Sequence, residues 1–126
     1  MSMLSAKKLE TVKLRREVAL RLEEVRIRLG LTWDIFVLKL LEEYCMDNAE
    51  EPACAVLSTI RDSLLQRKHH EAKSTRFVQG RYVSIKLDSS LLRAIRLLKA
   101  SLKTTYDKLF LKLLEHFCSK HPEVCT

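Results

Sequence analysis

Glycine and proline are nearly absent from this chain of 126 residues, which has two of each. An all-β sandwich or barrel needs more of both for its turns, and a phosphate-binding loop needs more glycine. Long apolar runs are missing too, since the longest, at 53–57, has five residues. We therefore expect no membrane-spanning helix and, from the start MSMLSAKK, no signal peptide. These absences favour a mostly helical protein of the cytoplasm.

Acidic residues are fewer than basic ones, 16 against 23, which gives a net charge of +7. Residues 1–52 carry 9 basic and 10 acidic groups, whereas 53–81 carry 6 and 2 and 82–126 carry 8 and 4. This balance indicates an anionic partner, with ordinary charge for solubility as the alternative. The sequence has no catalytic nucleophile, general base and orienting residue at the spacing of a known motif. We therefore predict no enzyme activity and no cofactor.

A tandem repeat fills most of the chain. A shift of 73 residues aligns VKLRREVALRLEEVRIRLGLTWDIFVLKLLEEYC (12–45) with IKLDSSLLRAIRLLKASLKTTYDKLFLKLLEHFC (85–118) without a gap, and 11 of 34 positions are identical. A shared leucine-rich composition alone would give about three or four identities. The excess indicates a duplicated unit, and residues 73 apart are called equivalent below.

Each unit opens with alternating apolar and polar residues, which predicts a half-buried strand. The strand positions that would face the core are Val12, Leu14, Val83, Ile85 and Leu87. The apolar period then becomes that of a helix, Gly30 provides the helix end, and Thr32 caps a second helix. Asp88 is a good N-cap for the first helix of the second unit, whereas the equivalent Arg15 is a poor one. A unit this small cannot enclose a hydrophobic core alone, so it must pack against a second unit.

This layout resembles the ribbon-helix-helix DNA-binding family, which includes the Met and Arc repressors. TVKLRREVALRLEEVRIRLGLTWDIFVLKLLEEY follows its order of T-x-K type strand, helix, G-L-T/S turn, helix and closing E-x-Y, and SIKLDSSLLRAIRLLKASLKTTYDKLFLKLLEHF follows it again. In the family, two units pair their strands into an antiparallel ribbon that lies in the major groove. The resemblance implies a mainly α fold with a short two-stranded antiparallel ribbon, a tandem pseudo-dimer in one chain, and a sequence-specific transcriptional regulator of duplex DNA.

The resemblance also assigns roles by position. The base-reading side chains would be Thr11, Lys13, Tyr82, Ser84 and Lys86, with Leu9 in the place of Tyr82 on the first strand. The phosphate-binding positions would be Arg15, Arg16, Thr32, Trp33, Thr105, Tyr106 and Lys108. Lysine can donate to guanine O6 and N7, and a hydroxyl can contact either base type. The alternative is that both strand lysines are only the solvated face of a sheet.

The sequence departs from the family pattern at the helix ends. Asp34 and Asp107 stand in the first turn of each second helix, where a carboxylate suits the helix dipole but repels a phosphate. Lys103 replaces Gly30, so it must adopt a costly left-handed conformation or a different turn. We therefore expect weaker phosphate anchoring than the family norm, with help from neighbouring basic residues.

The predicted organisation has five parts: a flexible arm at 1–9, repeat 1 at 10–45, a connector at 46–81, repeat 2 at 82–118 and a tail at 119–126. Within the connector, the apolar residues of 53–66 fall on one face of a helix. That helix either completes the core or docks a protein partner. The polar, basic KHHEAKSTRFVQGR that follows predicts a mobile crossover along the phosphate backbone, with solvated histidines rather than metal ligands.

The four cysteines follow the repeat, as Cys45 and Cys54 after one unit and Cys118 and Cys125 after the other. Their spacing fits no standard zinc site, so we predict no metal. Reduced thiols are usual inside cells, but disulfides occur in hyperthermophiles, and side-chain amides are scarce here. We expect Cys45–Cys54 and Cys118–Cys125 disulfides, in a protein of the kind found on archaeal viruses and plasmids.

Duplex DNA is thus the predicted partner, and whether the ribbon forms within one chain or in a homodimer or higher oligomer stays open. One alternative function is a protein-interaction or antitoxin-like module in which 53–66 hold a partner. Another is an assembly protein that uses the fold without nucleic acid, although Lys13 and Lys86 count against it. For a protein encoded by a virus or plasmid, the expected location is the host cytoplasm.

Overall fold

The computed structural model describes residues 9–66 and 76–125. Its elements in chain order are β1 (Leu9–Arg15), α1 (Arg16–Leu29), α2 (Trp33–Asp47), α3 (Pro52–Gln66), β2 (Arg76–Gln79), β3 (Tyr82–Asp88), α4 (Ser89–Leu102), α5 (Tyr106–Lys120) and α6 (Pro122–Cys125). The fold is mainly helical with a short antiparallel sheet, as the sequence predicted.

The two strands of the repeats pair with each other in antiparallel orientation, from Leu9 opposite Asp88 to Arg15 opposite Tyr82. At the centre of this register, Val12 pairs with its own equivalent, Ile85. Because both strands alternate, one face of the pair is buried and the other is exposed. The predicted antiparallel strand pair is therefore present in this chain.

A third strand, β2, was not predicted. It pairs with β3 on the edge away from β1, so the strand order is β1-β3-β2, and it reaches from Tyr82 only as far as Ile85. Gly80, with φ of +62°, supplies the left-handed residue of the turn between β2 and β3. Residues 76–79 thus form a strand where we predicted a crossover. Residues 67–75, including both histidines of that segment, lie outside the described residues.

The helix ends follow the predicted chemistry. The Asp88 carboxylate accepts from the backbone N–H of Ser90, whereas Arg15, at the equivalent position, makes no side-chain cap. Gly30 ends α1 with φ of +67°, and Lys103 ends α4 in the same left-handed conformation with φ of +52°. Of the two alternatives for Lys103, the chain adopts the strained one.

The core lies between the inner face of the sheet and the helices. Its largest fully buried side chains include Leu14, Leu22, Phe36, Leu40, Ile85, Leu91 and Phe110. Helices α2 and α5 pack on each other, α3 packs on α2 and α4, and α6 packs on α5 and α1. The apolar face of α3 is thereby buried through Ala53, Leu57 and Leu64, so this helix belongs to the core.

Two disulfides connect the last two helices of each half, with the predicted pairing. Cys45–Cys54 joins α2 to α3, and Cys118–Cys125 joins α5 to α6. The segment predicted as a C-terminal tail instead contains the end of α5 and the short helix α6. The Nη1 of Arg28 in α1 donates to the backbone carbonyl of Val124 at 2.7 Å, so α6 also contacts the first repeat.

Candidate nucleic-acid interface

The outward face of β1 and β3 brings four of the predicted base-reading residues together. Thr11 and Lys13 are exposed on β1, while Ser84 and Lys86 are partly exposed on β3. Thr11 lies opposite Lys86, and Lys13 lies opposite Ser84. Each lysine therefore faces a hydroxyl rather than the other lysine, which avoids a direct like-charge pair across the strands.

The ends of this face differ from each other. At one end Tyr82 is 44% exposed and pairs with Arg15. At the other end Leu9 is 46% exposed and pairs with Asp88, which is buried. The predicted difference between Tyr82 and Leu9 thus becomes a difference between the two ends of one surface.

At the starts of α2 and α5, several of the predicted phosphate-binding side chains already make contacts within the protein. Thr32 Oγ1 accepts from the Ile35 N–H at 3.4 Å, and Thr105 Oγ1 accepts from the Lys108 N–H at 3.2 Å. Trp33 is buried, with the Arg26 guanidinium 4.9 Å from its ring centroid. Both threonine hydroxyls therefore serve as helix caps, and the Trp33 ring is part of the core.

The Tyr106 ring is the equivalent of Trp33. It is partly exposed and lies 5.0 Å from Lys99 Nζ. Arg96 Nη2 lies 2.8 Å from Glu10 Oε1. Hydrogen bonding with Tyr106 and Glu10 raises the pKa of the Arg96 guanidinium. The Tyr106 side chain is thus held by cations of its own repeat.

Asp34 and Asp107 each accept a backbone hydrogen bond from the other repeat, a role that the sequence did not predict. The Asp34 Oδ1 accepts from the backbone N–H of Asp88 at 2.9 Å, and the Asp107 Oδ1 accepts from the backbone N–H of Arg15 at 2.7 Å. Each carboxylate thus binds the residue that precedes the first helix of the other repeat. Their identity at equivalent positions was the available signal, and a contact between repeats explains it.

The hydrogen bond from the Arg15 N–H to Asp107 also brings basic residues together. It places the start of α5, with Lys108, beside the start of α1, with Arg15 and Arg16. The Arg16 N–H donates to the Arg81 carbonyl oxygen at 2.8 Å, which adds Arg81 to the same end of the sheet. Arg81 was not among the predicted residues, because its place depends on the turn before β3.

Acidic residues near the end of α2 contact histidines and a lysine near the end of α5. Asp47 carboxylate oxygen Oδ2 lies 2.8 Å from His116 Nε2 and 2.9 Å from Lys120 Nζ. Glu43 Oε2 lies 3.1 Å from His121 Nε2. Hydrogen bonds from Lys120 and His116 lower the pKa of the Asp47 carboxyl.

Two of these contacts involve equivalent positions, since Glu43 matches His116 and Asp47 matches Lys120. The Asp47–Lys120 pair therefore joins unlike charges at a position where two copies of the same repeat would place like charges. The difference between the repeats at these two positions was visible in the aligned sequences. Nearby, burial raises the pKa of the Tyr44 hydroxyl, with added repulsion from Glu51 and Glu50.

The remaining chemistry is limited. Across 9–66 and 76–125, no group of three or more histidine, cysteine, aspartate or glutamate side chains could hold a metal ion. In the same part of the chain, every helix is too short or too polar to cross a bilayer. The described cysteines are all in disulfides. Comparison with protein-family models, curated proteins and solved structures finds no match to this chain.

Proposed function

We propose that this chain is a sequence-specific, duplex DNA-binding transcriptional regulator that places β1 and β3 in the major groove. The outward face of the paired strands carries this proposal, because Thr11, Lys13, Ser84 and Lys86 lie together on it at the positions next to the buried Val12–Ile85 pair. Paired strands are about 5 Å apart, and the groove is about 12 Å wide. Lysine and hydroxyl groups are suitable donors for base edges in that groove.

We propose also that one chain supplies both halves of the ribbon, as a tandem pseudo-dimer. The register supports this arrangement, because β1 and β3 are centred on two equivalent residues. The reciprocal hydrogen bonds that Asp34 and Asp107 accept support it further, since each repeat holds the helix start of the other. One chain should therefore occupy one DNA site.

A salt titration of duplex binding tests the function. Fluorescence anisotropy with a labelled 40-base-pair duplex of mixed sequence would be measured from about 50 to 200 mM salt, where a protein with several phosphate contacts loses affinity steeply. The test variant is Lys13→Ala with Lys86→Ala. The matched control is Lys39→Ala with Lys112→Ala, which removes the same charge from exposed, equivalent positions on α2 and α5.

The strand variant should bind more weakly than the control at every salt concentration. A duplex selected from a random pool should bind the wild type far more tightly than the mixed sequence does, and native mass spectrometry should find one chain on it. If duplex binding is undetectable at low salt, or does not respond to salt, the regulator proposal is wrong. Two chains on one minimal site would instead contradict the pseudo-dimer.

A further inference from the structure

The two ends of the β1–β3 pair have different charges. The basic end consists of Arg15, Arg16, Arg81 and Lys108, gathered by the contacts of Arg15 with Asp107 and of Arg16 with Arg81. At the opposite end, the positions equivalent to Lys108, Arg15 and Arg16 are Ile35, Asp88 and Ser89, and the equivalent of Arg81 is Lys8, which lies outside the described residues. Three cations at one end thus correspond to an aliphatic, an acidic and a hydroxyl side chain at the other.

The cations of the basic end are accessible. Arg15, Arg16, Arg81 and Lys108 are all exposed. Among the described residues, Arg15 forms an ion pair with Glu17 at 3.9 Å, and exposed pairs of this kind are weak. Asp107 is the other carboxylate here, and its Oδ1 is engaged by the Arg15 N–H. In the part of the chain that the structure describes, no carboxylate forms an ion pair with Arg16, Arg81 or Lys108.

Among the described residues of the opposite end, the side chains do not favour a phosphate. The Asp88 side chain is 3% exposed and its carboxylate caps α4 through Ser90. Asp34 lies against the same helix start, with its Oδ1 on the Asp88 N–H. Asp88 thus stands where the basic end has the exposed Arg15, whereas Asp34 and its equivalent Asp107 place one carboxylate at each end.

Strand β2 adds to the same asymmetry. It pairs only with the half of β3 that runs from Tyr82 to Ile85, which is the half next to the basic end. The turn at Gly80 and Arg81 that follows it supplies one of the four cations. The third strand therefore extends the surface at one end and leaves the other end two-stranded.

We propose that the chain binds duplex DNA with a fixed polarity, holding the phosphate backbone through Arg16, Arg81 and their neighbours at the basic end. This inference rests on the proposed function and specifies how that surface is oriented on DNA. A symmetric pair of repeats would hold both sides of its site equally. Here most of the phosphate contacts lie on one side of the DNA site, so the protein binds that site in a single orientation.

The test compares three full-length double variants on the same duplexes. Arg16→Ala with Arg81→Ala removes two cations from the basic end, Lys39→Ala with Lys112→Ala is the matched control, and Lys7→Ala with Lys8→Ala removes the cations that precede β1. Each lost phosphate contact lowers the slope of log affinity against log salt by about one. Ethylation interference on the selected duplex then locates the contacted phosphates, and circular dichroism checks folding.

We expect the Arg16 and Arg81 variant to lose about two units of slope and the other two variants to lose little. Interfering phosphates should lie mostly on one side of the selected site and should disappear in that variant. Equal interference on both sides would overturn the polarity, as would an equal slope loss from Lys7 and Lys8. A wild type that binds no duplex would instead overturn the proposed function, and this inference with it.

Discussion

The carboxylate of Asp34 holds the backbone N–H of Asp88, 54 residues further along the chain, in a buried hydrogen bond of 2.9 Å. Asp88 in turn caps α4 through the N–H of Ser90 at 3.0 Å. The start of one repeat's second helix is thereby fastened to the start of the other repeat's first helix. Both acidic residues serve the contact between the repeats.

Asp34→Ala should lower the free energy of unfolding by about 1–3 kcal/mol, because it leaves a buried N–H without this acceptor. Asp34→Asn should cost less, since its carbonyl oxygen can still accept. Asp107→Ala provides the comparison, because its bond to Arg15 is exposed. Urea unfolding followed by circular dichroism measures all three, and equal losses for Ala and Asn at position 34 would show that the hydrogen bond does not matter.

Substitutions at the two left-handed helix ends, Gly30 and Lys103, should change the stability of the chain in opposite directions. Lys103→Gly should stabilise the chain by about 1 kcal/mol, because glycine adopts a positive φ without a Cβ penalty. Gly30→Ala should destabilise it by about 1–2 kcal/mol through backbone conformation, since no atom lies within 4 Å of the added Cβ. Thermal unfolding of both variants checks this, and a stabilising Gly30→Ala would contradict it.

The stability of the fold should fall at acid pH as the Asp47 carboxylate is protonated. Its lowered folded pKa means that the carboxylate stabilises the fold above the unfolded value near 3.8 and that this stability is lost as the pH falls through the folded pKa. Asp47→Asn should therefore melt at a lower temperature than the wild type at neutral pH. The difference should shrink as the pH falls through the folded pKa, and a constant difference across the pH series would argue against the carboxylate.

The disulfides should each stabilise the chain by about 2–3 kcal/mol, on the chain-entropy estimate for closed loops of this length. Their cysteines are separated by 9 residues in Cys45–Cys54 and by 7 in Cys118–Cys125. Replacing both cysteines of a pair by alanine should lower the melting temperature. Mass spectrometry of unreduced peptides identifies the pairs directly, and four free thiols or a bridge between repeats would reject this pairing.

The two strand lysines should specify different base pairs. Lys13 and Lys86 lie on opposite strands, opposite Ser84 and Thr11 respectively, so their surroundings differ. Lys13→Ala and Lys86→Ala should each weaken binding to the selected duplex by about 1–3 kcal/mol and relax preference at distinct positions. Selection from random duplexes with each variant measures this. A perfect palindrome whose halves are degraded equally by both substitutions would contradict unequal strands.

The sequence by itself determined the local structure. Period-two and helical apolar patterns identified β1, β3 and most of the helices, since each pattern reports which face of an element is buried. Asp88, Gly30 and Thr32 marked helix ends because capping depends on neighbours within a few residues. The cysteine pairs were likewise readable from their placement after each repeat.

Only the tertiary structure decided what meets across the repeats. The partners of Asp34 and Asp107 and the contact of Arg16 with Arg81 depend on residues far apart in the chain, whose contacts no local period encodes. The unlike charges of Asp47 and Lys120 were visible as a difference between equivalent positions. The sequence could not show that Asp47 and Lys120 form an ion pair, because that depends on their distance in space once α2 and α5 pack.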